Sequence, residues 1–346
     1  MMYDQIKDRR DGIVITNITS TSPNTHSDAI AGEISARPDQ PRVIYRKAGT
    51  DYVLVEYGEL LLDINIRLRI DVLEKAINLM SIHGVIEMSP GVRSLLIHYD
   101  GLKLPLNKLV EILKFIERNL NESIPSQIKS RTVNLPFAFN DSSVKEALEK
   151  YMTTIRKEAP YLPDNMNFIA RCNGLSGPED VLKYMLESQY LVLGLGDVYL
   201  GAPCATALDP RRRMVVPKYN PARTWTAEGG IGLGGAFLCI YPMASPGGYQ
   251  LVGRALPIWN TYQTSKTFED APWLLRHFDK INFKPVSEEE LLELRDKVFR
   301  NEYEFDITED IFDMAEYNSF VNEIKPEIEA FRAVQQEAVS AAMVGY

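Results

Sequence analysis

The chain has 346 residues, 45% of them hydrophobic and 25% charged, the balance of a globular protein long enough for two or three cores. A formal net charge of -9 argues against nonspecific binding to nucleic acid, which needs a basic face. The three cysteines, Cys172, Cys204 and Cys239, form no CxxC and no His/Cys pair at zinc spacing, so no disulfide framework and no metal site is expected.

The opening MMYDQIKDRRDG holds no signal-like apolar stretch, and no run reaches the roughly 18 apolar residues of a membrane span. A cytoplasmic location is expected. The charge is uneven: from Pro285 onward 16 acids face 5 bases, and the remainder is close to neutral.

In chain order, residues 1–40 are polar, rich in Ser, Thr and Pro, and read as a mobile lead-in. VIYRKAG and DYVLVEYG are strand-like runs joined by a turn. Leu60–Ser81 has helical spacing, with Leu61, Ile64, Leu68, Val72 and Ala76 on one face. VIEMSPGVRSLLIHYD holds two strand runs, Asn107–Leu120 is a second amphipathic helix, and RTVNLPFAF is another strand. The order after the first strand is β-α-β-β-α-β, which predicts a ferredoxin-like α+β domain over 41–140. Residues 141–189 form a helical connection, with Asp141 or Ser142 as an N-cap and a second helix over Pro178–Gln189. Residues 190–286 alternate short apolar runs with Gly and Pro: YLVLGLG, RRRMVVPKYN, IGLGGAFLCIYP, GGYQLVGRALPIWN and KINFKPV. Such spacing predicts a β-barrel or sandwich. The tail, 287–346, reads as acidic and helical, with Ser287 capping three glutamates.

Three stretches carry candidate chemistry. LVLGLGDVYLGAP places two glycines and Asp197 at the end of an apolar run. A dinucleotide loop needs G-x-G-x-x-G opening a helix, and neither requirement is met. The stretch is a tight barrel turn with an exposed Asp197, or one wall of a site. DPRRRMVVPKYNPAR puts Arg211, Arg212, Arg213, Lys218 and Arg223 within thirteen residues without an intervening acid. It is a solvated basic loop or a site for a carboxylate, which the arginine fork suits. EGGIGLGG offers backbone amides for an oxyanion, or marks strands crossing at a barrel corner. None of the four histidines (His26, His83, His98, His277) falls in the glycine-rich region, and no G-x-S-x-G elbow is present.

As a set, LVLGLGDVYLGAP, LDPRRRMVVPKYNPARTWTAEGGIGLGGAFLCIYPMASPGGYQLVGRALPIWN and APWLLRHFDKINFKPVSEEELLELR resemble the carboxyltransferase region of urea carboxylase, the carboxylating half of urea amidolyase. VEYGELLLDINIRLRI, MSPGVRSLLIHYD and the tail FDMAEYNSFVNEIKPEIEAFRAVQQEA fit the same family, so the resemblance spans about residues 41–340. A more distant similarity, carried by PGG-Y/W-x-L-x-GR, is to the B subunit of 5-oxoprolinase, the sporulation-kinase inhibitor group. That group carries a G-F-x-P-G-F-P-Y-L type sequence where this chain has Gly194-Leu-Gly196-Asp-Val-Tyr-Leu, which favours the urea carboxylase branch.

The resemblance implies an N-terminal α/β domain followed by a cyclophilin-like β-barrel. It implies transfer of a carboxyl group from carboxybiotin, on a separate carrier domain, to urea or a related amide such as guanidine. It also implies partners: a companion carboxyltransferase half, a biotin carboxylase and a biotin carrier, without which this chain is expected to be inactive. Carried over to these residues, Asp197 would accept hydrogen bonds from the amide substrate, Tyr199 would frame it, and Lys218 would act on the carboxyl group. With it, one of Arg211, Arg212 and Arg213, or else Arg223, would hold the carboxyl group or the ureido oxygen of biotin. Gly232, Gly234 and Gly235 would supply oxyanion amides, and Tyr219, Asn220, Gly247 and Gly248 would complete the binding set. The alternative is a non-catalytic interaction or regulatory role, or a role like that of the 5-oxoprolinase B subunit.

Overall fold

A computed structural model describes residues 29–196 and 201–343, which divide into two units at Pro125 and Ser126. The first holds β1 (Ile30–Ile34), β2 (Val43–Lys47), β3 (Tyr52–Tyr57), α1 (Ile64–Met80), β4 (Val85–Pro90), β5 (Ser94–Tyr99) and α2 (Leu106–Arg118). Its antiparallel sheet has the order β1-β2-β3-β5-β4. Alternate residues of three neighbouring strands are buried (Val43 and Tyr45; Val53, Val55 and Tyr57; Leu95, Ile97 and Tyr99), the period of two that puts one face in a core. Asp63 caps α1 by accepting from the Asn65 N–H. Leu68, Val72 and Ala76 follow on its buried face. Leu61, expected on that face, precedes the helix and is exposed. A buried charge pair joins the two helices. Arg69 Nε donates to Glu117 at 2.6 Å, and the Tyr57 hydroxyl donates to the same carboxylate at 2.8 Å.

Three expectations change here. Residues 30–34, read as lead-in, are a strand paired with β2, while residues 1–28 lie outside the described residues. RTVNLPFAF, read as the last strand of a ferredoxin-like domain, belongs to the second unit. The place beside β3 that it would have filled is taken by β2, because a short hairpin forms locally and closes less chain. The boundary expected at 140 accordingly falls at 125.

The second unit opens with β6 (Gln127–Phe139), then α3 (Ser142–Thr154), α4 (Asn165–Cys172) and α5 (Pro178–Leu186). Next come β7 (Tyr190–Leu195), β8 (Pro203–Ala207), β9 (Gly230–Gly234), β10 (Phe237–Ile240), β11 (Gln250–Ala255) and β12 (Lys280–Pro285). It ends with α6 (Glu288–Phe299), β13 (Asp306–Asp313), α7 (Met314–Glu323) and α8 (Lys325–Ala342). Seven strands close a barrel in the order β6-β12-β7-β8-β10-β9-β11, and β11 returns to β6. This decides between barrel and sandwich. Among the described residues only β6 and β12 run parallel. The barrel is filled by side chains such as Val133, Leu135, Phe137, Val192, Ile231, Leu233, Val252 and Phe283, so it is a core rather than a channel. Asp141 is the α3 N-cap, accepting from the Ser143 N–H, and Ser287 caps α6.

Two further readings are corrected. RRRMVVPKYN forms no strand. It contains a short 3₁₀ turn at Pro210–Arg212 and a single bridge from Val216 to Gly235, since prolines cannot donate to a ladder. The tail is not wholly helical, for β13 lies antiparallel along β6 from Gln127 to Asn134. There the Lys280 ammonium meets the Asp310 carboxylate at 2.5 Å, and Thr132 donates to it at 2.8 Å. Among the described residues no helix is long and apolar enough to cross a membrane.

Gly253 permits the closure. A Cβ there would lie 2.2 Å from the Ala138 carbonyl oxygen of β6. Gly253→Ala is therefore expected to lower stability by about 1–3 kcal/mol, as overpacking does. Urea denaturation of the full chain checks this. A second expectation concerns acid. Burial works to raise the Asp310 carboxyl, but hydrogen bonds from Lys280 and Thr132 outweigh it and hold the group below its ordinary value. A depressed carboxyl contributes stability that is complete above about pH 4 and lost as pH falls through the depressed value. Asp310→Asn should lower the melting temperature at pH 7 and flatten its decline below about pH 4, as a melting series in pH would show.

Candidate functional site

The site is built where the ends of barrel strands meet three connections. The first joins β7 to β8. A register shift falls at Gly194, and Gly196 (φ +95°) donates its N–H to the Ala202 carbonyl at 2.8 Å. Gly201 (φ +82°) has no room for a side chain, because a Cβ would lie 2.8 Å from the Trp259 ring and 3.0 Å from the Trp273 Cβ. Both glycines thus occupy left-handed backbone, which other residues adopt at a cost. Asp197 and Tyr199, on the segment between them, lie outside the described residues.

The second connection, residues 208–229, carries the five cations, and it sorts them. Arg211 grips Asp209 with Nε and Nη2, pairs with Glu327 of α8, and lies over Phe320. Burial alone would raise the Asp209 carboxyl. Hydrogen bonds from the Arg211 side chain and backbone reverse this and hold it below its ordinary value. Arg212 pairs with Glu187 at 2.7 Å and lies over Tyr184. Arg213 is buried, donating to the Ala207 carbonyl and the Tyr317 hydroxyl, each at 2.8 Å. These three tie the connection to α5, α7 and α8. Arg223 is 1% exposed. It donates to the Tyr249 carbonyl and to Thr226 Oγ1, and lies 4.6 Å from the Tyr219 ring centre. Lys218 differs: it is exposed, has no ion pair among the described residues, and sits 4.4 Å above the Tyr249 ring centre.

The third connection, the Ser245-Pro-Gly-Gly turn, is laced to the second by main-chain bonds. The Tyr219 N–H donates to the Gly248 carbonyl at 2.6 Å, and Arg223 and Gly247 exchange bonds at 3.0 and 3.1 Å. Lys218, Tyr219, Arg223, Gly247 and Gly248 are thereby brought together, with Asn220 beside them. The Asn220 N–H donates to the Tyr161 hydroxyl, and its carbonyl accepts from Arg156. Tyr219 packs in a buried group edge-on to Tyr151 and tilted against Tyr161. Burial pushes the Tyr219 phenol well up, and Arg223 opposes this only in part, so the phenol stays neutral. Burial raises Tyr241 likewise, again against Arg223.

Among the glycines read as oxyanion donors, Gly232 and Gly234 lie within β9 between β10 and β11, and the Gly235 N–H donates to the Val216 carbonyl at 2.9 Å. Their lack of side chains has a different use. A Cβ on Gly234 would lie 2.4 Å from Tyr249 Cδ1, and one on Gly232 would lie 2.7 Å from Tyr249 Cβ. Tyr249 also packs with Ala202 and Cys239, which joins this wall to the β7–β8 connection. Sequence reasoning passed over Tyr249. The signal was an aromatic residue directly after Gly247-Gly248, facing alternate glycines on a neighbouring strand. Among the described residues no group of three or more His, Cys, Asp or Glu side chains is placed to hold a metal ion.

The family model for the carboxyltransferase domain, subdomain C and D, matches residues 43–268, about two thirds of the chain and most of this site. The chain belongs to this family. Of this carboxyltransferase-domain chain, 95% aligns with a urea amidolyase of Lachancea kluyveri at 42% identity, covering 18% of that protein. The crystal structure of Kluyveromyces lactis urea carboxylase superposes on 99% of the chain with a TM-score of 0.82 at 38% identity, over 31% of that chain. The B subunit of 5-oxoprolinase from Bacillus subtilis is 26% identical over 60% of the chain and 78% of its own length. The chain thus spans under a fifth of the Lachancea relative.

Arg223→Leu should strip the Tyr249 carbonyl and the Thr226 hydroxyl of their buried donor. A loss of about 2–4 kcal/mol is expected, together with faster proteolysis between residues 217 and 223; denaturant titration and limited trypsin digestion read the two.

Proposed function

We propose that this carboxyltransferase-domain chain is one part of a urea carboxylase, acting in the transfer of a carboxyl group to a nitrogen of urea. The observation that carries the reading is the alignment of almost the whole chain, barrel and tail included, with urea amidolyase. A carboxylated carrier needs an accessible cation beside the reaction locus, and Lys218 fits: exposed, without an ion pair among the described residues, and set on the rim of the barrel. Biotin on a separate carrier domain would supply the activated carboxyl group. Lys218 would bind its oxygens, and Arg223 would hold the two connections that carry Lys218 and Tyr249.

The substrate is a weak nucleophile, because the nitrogen lone pair of an amide is delocalised into its carbonyl. The protein's task is therefore to orient it and to stabilise charge. Asp197 accepts hydrogen bonds from the amide and Tyr199 frames it. Guanidine offers the same N–H donors in the same plane and is a second candidate acceptor. The partners are a companion carboxyltransferase half, a biotin carboxylase and a carrier domain, and this chain alone is expected to be inactive. A 5-oxoprolinase-type or regulatory role is less well supported, since that similarity covers 60% of the chain against 95%.

Reconstitution with those partners tests the reading: carboxylation of urea, guanidine and related amides is measured alongside carboxylation of the carrier. Asp197→Asn and Lys218→Met are each expected to slow the transfer on the order of 100-fold, the scale of losing one group that stabilises developing charge. Carrier carboxylation should be untouched. Normal urea turnover in both variants would overturn the assignment.

A further inference from the structure

Lys218 has a long flexible stem and an exposed head, so nothing in its own backbone fixes where its ammonium lies. Its neighbour Tyr249 is the reverse. It is 3% exposed, and its carbonyl is gripped by Arg223. Its side chain is hemmed by β9, where Gly234 leaves space for the ring and Gly232 for its Cβ, and by Ala202 and Cys239. β9, Ala202, Cys239 and Arg223 all belong to the barrel or to a segment laced to it. The ring is a fixed platform with a negative face, and the Lys218 ammonium lies 4.4 Å over its centre.

We propose that Tyr249 is a positioning residue: its ring holds the Lys218 ammonium over the barrel rim, Gly234 is there to seat that ring, and Gly232 clears the Cβ that carries it. The inference rests on the reading of Lys218 as the group that binds the transferred carboxyl. It gives the glycine-rich β9 a role in the site through the space it leaves rather than through its amides. Tyr249 touches no substrate in this scheme; it acts through Lys218.

Two readouts separate the geometry from the function. In the full chain, lysines are reductively methylated with ¹³C, which preserves their charge, and the Lys218 signal is identified by its disappearance in Lys218→Met. An ammonium over an aromatic face carries methyl signals displaced upfield by the ring current. That displacement is expected in the parent chain and in Tyr249→Phe, and lost in Tyr249→Leu. Gly234→Ala, which pushes the ring aside without altering it, should reduce it. In the assembled enzyme, Tyr249→Leu should lower kcat/KM for the transfer about tenfold, the range of a cation–aromatic contact. Tyr249→Phe should restore most of it, and Tyr249→Leu added to Lys218→Met should cause no further loss. A Lys218 signal that is not displaced in the parent chain, or that stays displaced in Tyr249→Leu, overturns the positioning. A displaced signal together with full turnover in Lys218→Met leaves the geometry intact and overturns the functional reading of Lys218 instead.

Discussion

A curled sheet becomes a barrel only if its last strand can reach its first, and in this chain that contact is Gly253 against Ala138. With 2.2 Å between a would-be Cβ and the Ala138 carbonyl oxygen, the ladder between β11 and β6 must shift to admit any side chain at that position. The site depends on this closure. β11 begins at Gln250, so pinning β11 to β6 and to β9 also pins Tyr249, the residue before it. Arg223 then draws the second connection onto Tyr249, and Lys218 follows. A packing constraint on one side of the barrel thereby reaches an ammonium group on its rim.

The uneven charge of the chain has a structural counterpart. Glu327 of the acidic tail pairs with Arg211, and Tyr317 accepts from Arg213. Gln335 donates to the Asn173 side chain and to the Arg213 carbonyl at 2.6 and 2.9 Å. The tail is thus the partner of Arg211 and Arg213, while Arg212 is held by Glu187 and Tyr184 at α5. A buried or half-buried arginine with a carboxylate at hand gains far more from that pair than from a distant, hydrated anion.

What could be read from the sequence follows from how local each signal is. Helices such as α3 and α6 were legible because caps and period act within a few residues: Asp141, one of two candidate caps, caps α3, and Ser287 caps α6. The β-rich half was legible for the same reason, since turn chemistry punctuates it. The partner of β6 was not legible, because RTVNLPFAF has the pattern of any buried strand and nothing local says which sheet it enters. β13 was missed because DITEDIFD is acidic and half of it is exposed, with only Phe312 buried. Its strand state comes from β6, not from itself. In the site, the cluster of cations was visible but its division was not. Whether an arginine is tied or free depends on acids such as Glu187 and Glu327, far away in the chain. The glycines were visible as a group, while their reason, the Tyr249 side chain, lay on another strand.

The long strand β6 also sets a clock on biosynthesis. It is among the first parts of its unit to be made, yet Gln127 hydrogen-bonds to Asp313, 186 positions later. At the usual pace of translation, about 5–20 residues per second, roughly 10–40 s separate the two. For most of that interval Val133, Leu135 and Phe137, all fully buried at the end, have neither β12 nor β13 beside them. A nascent chain of this design makes the long, largely buried β6 as the first strand of its unit and the strands that flank it last, and must be kept from pairing with its neighbours on the polysome until the tail arrives.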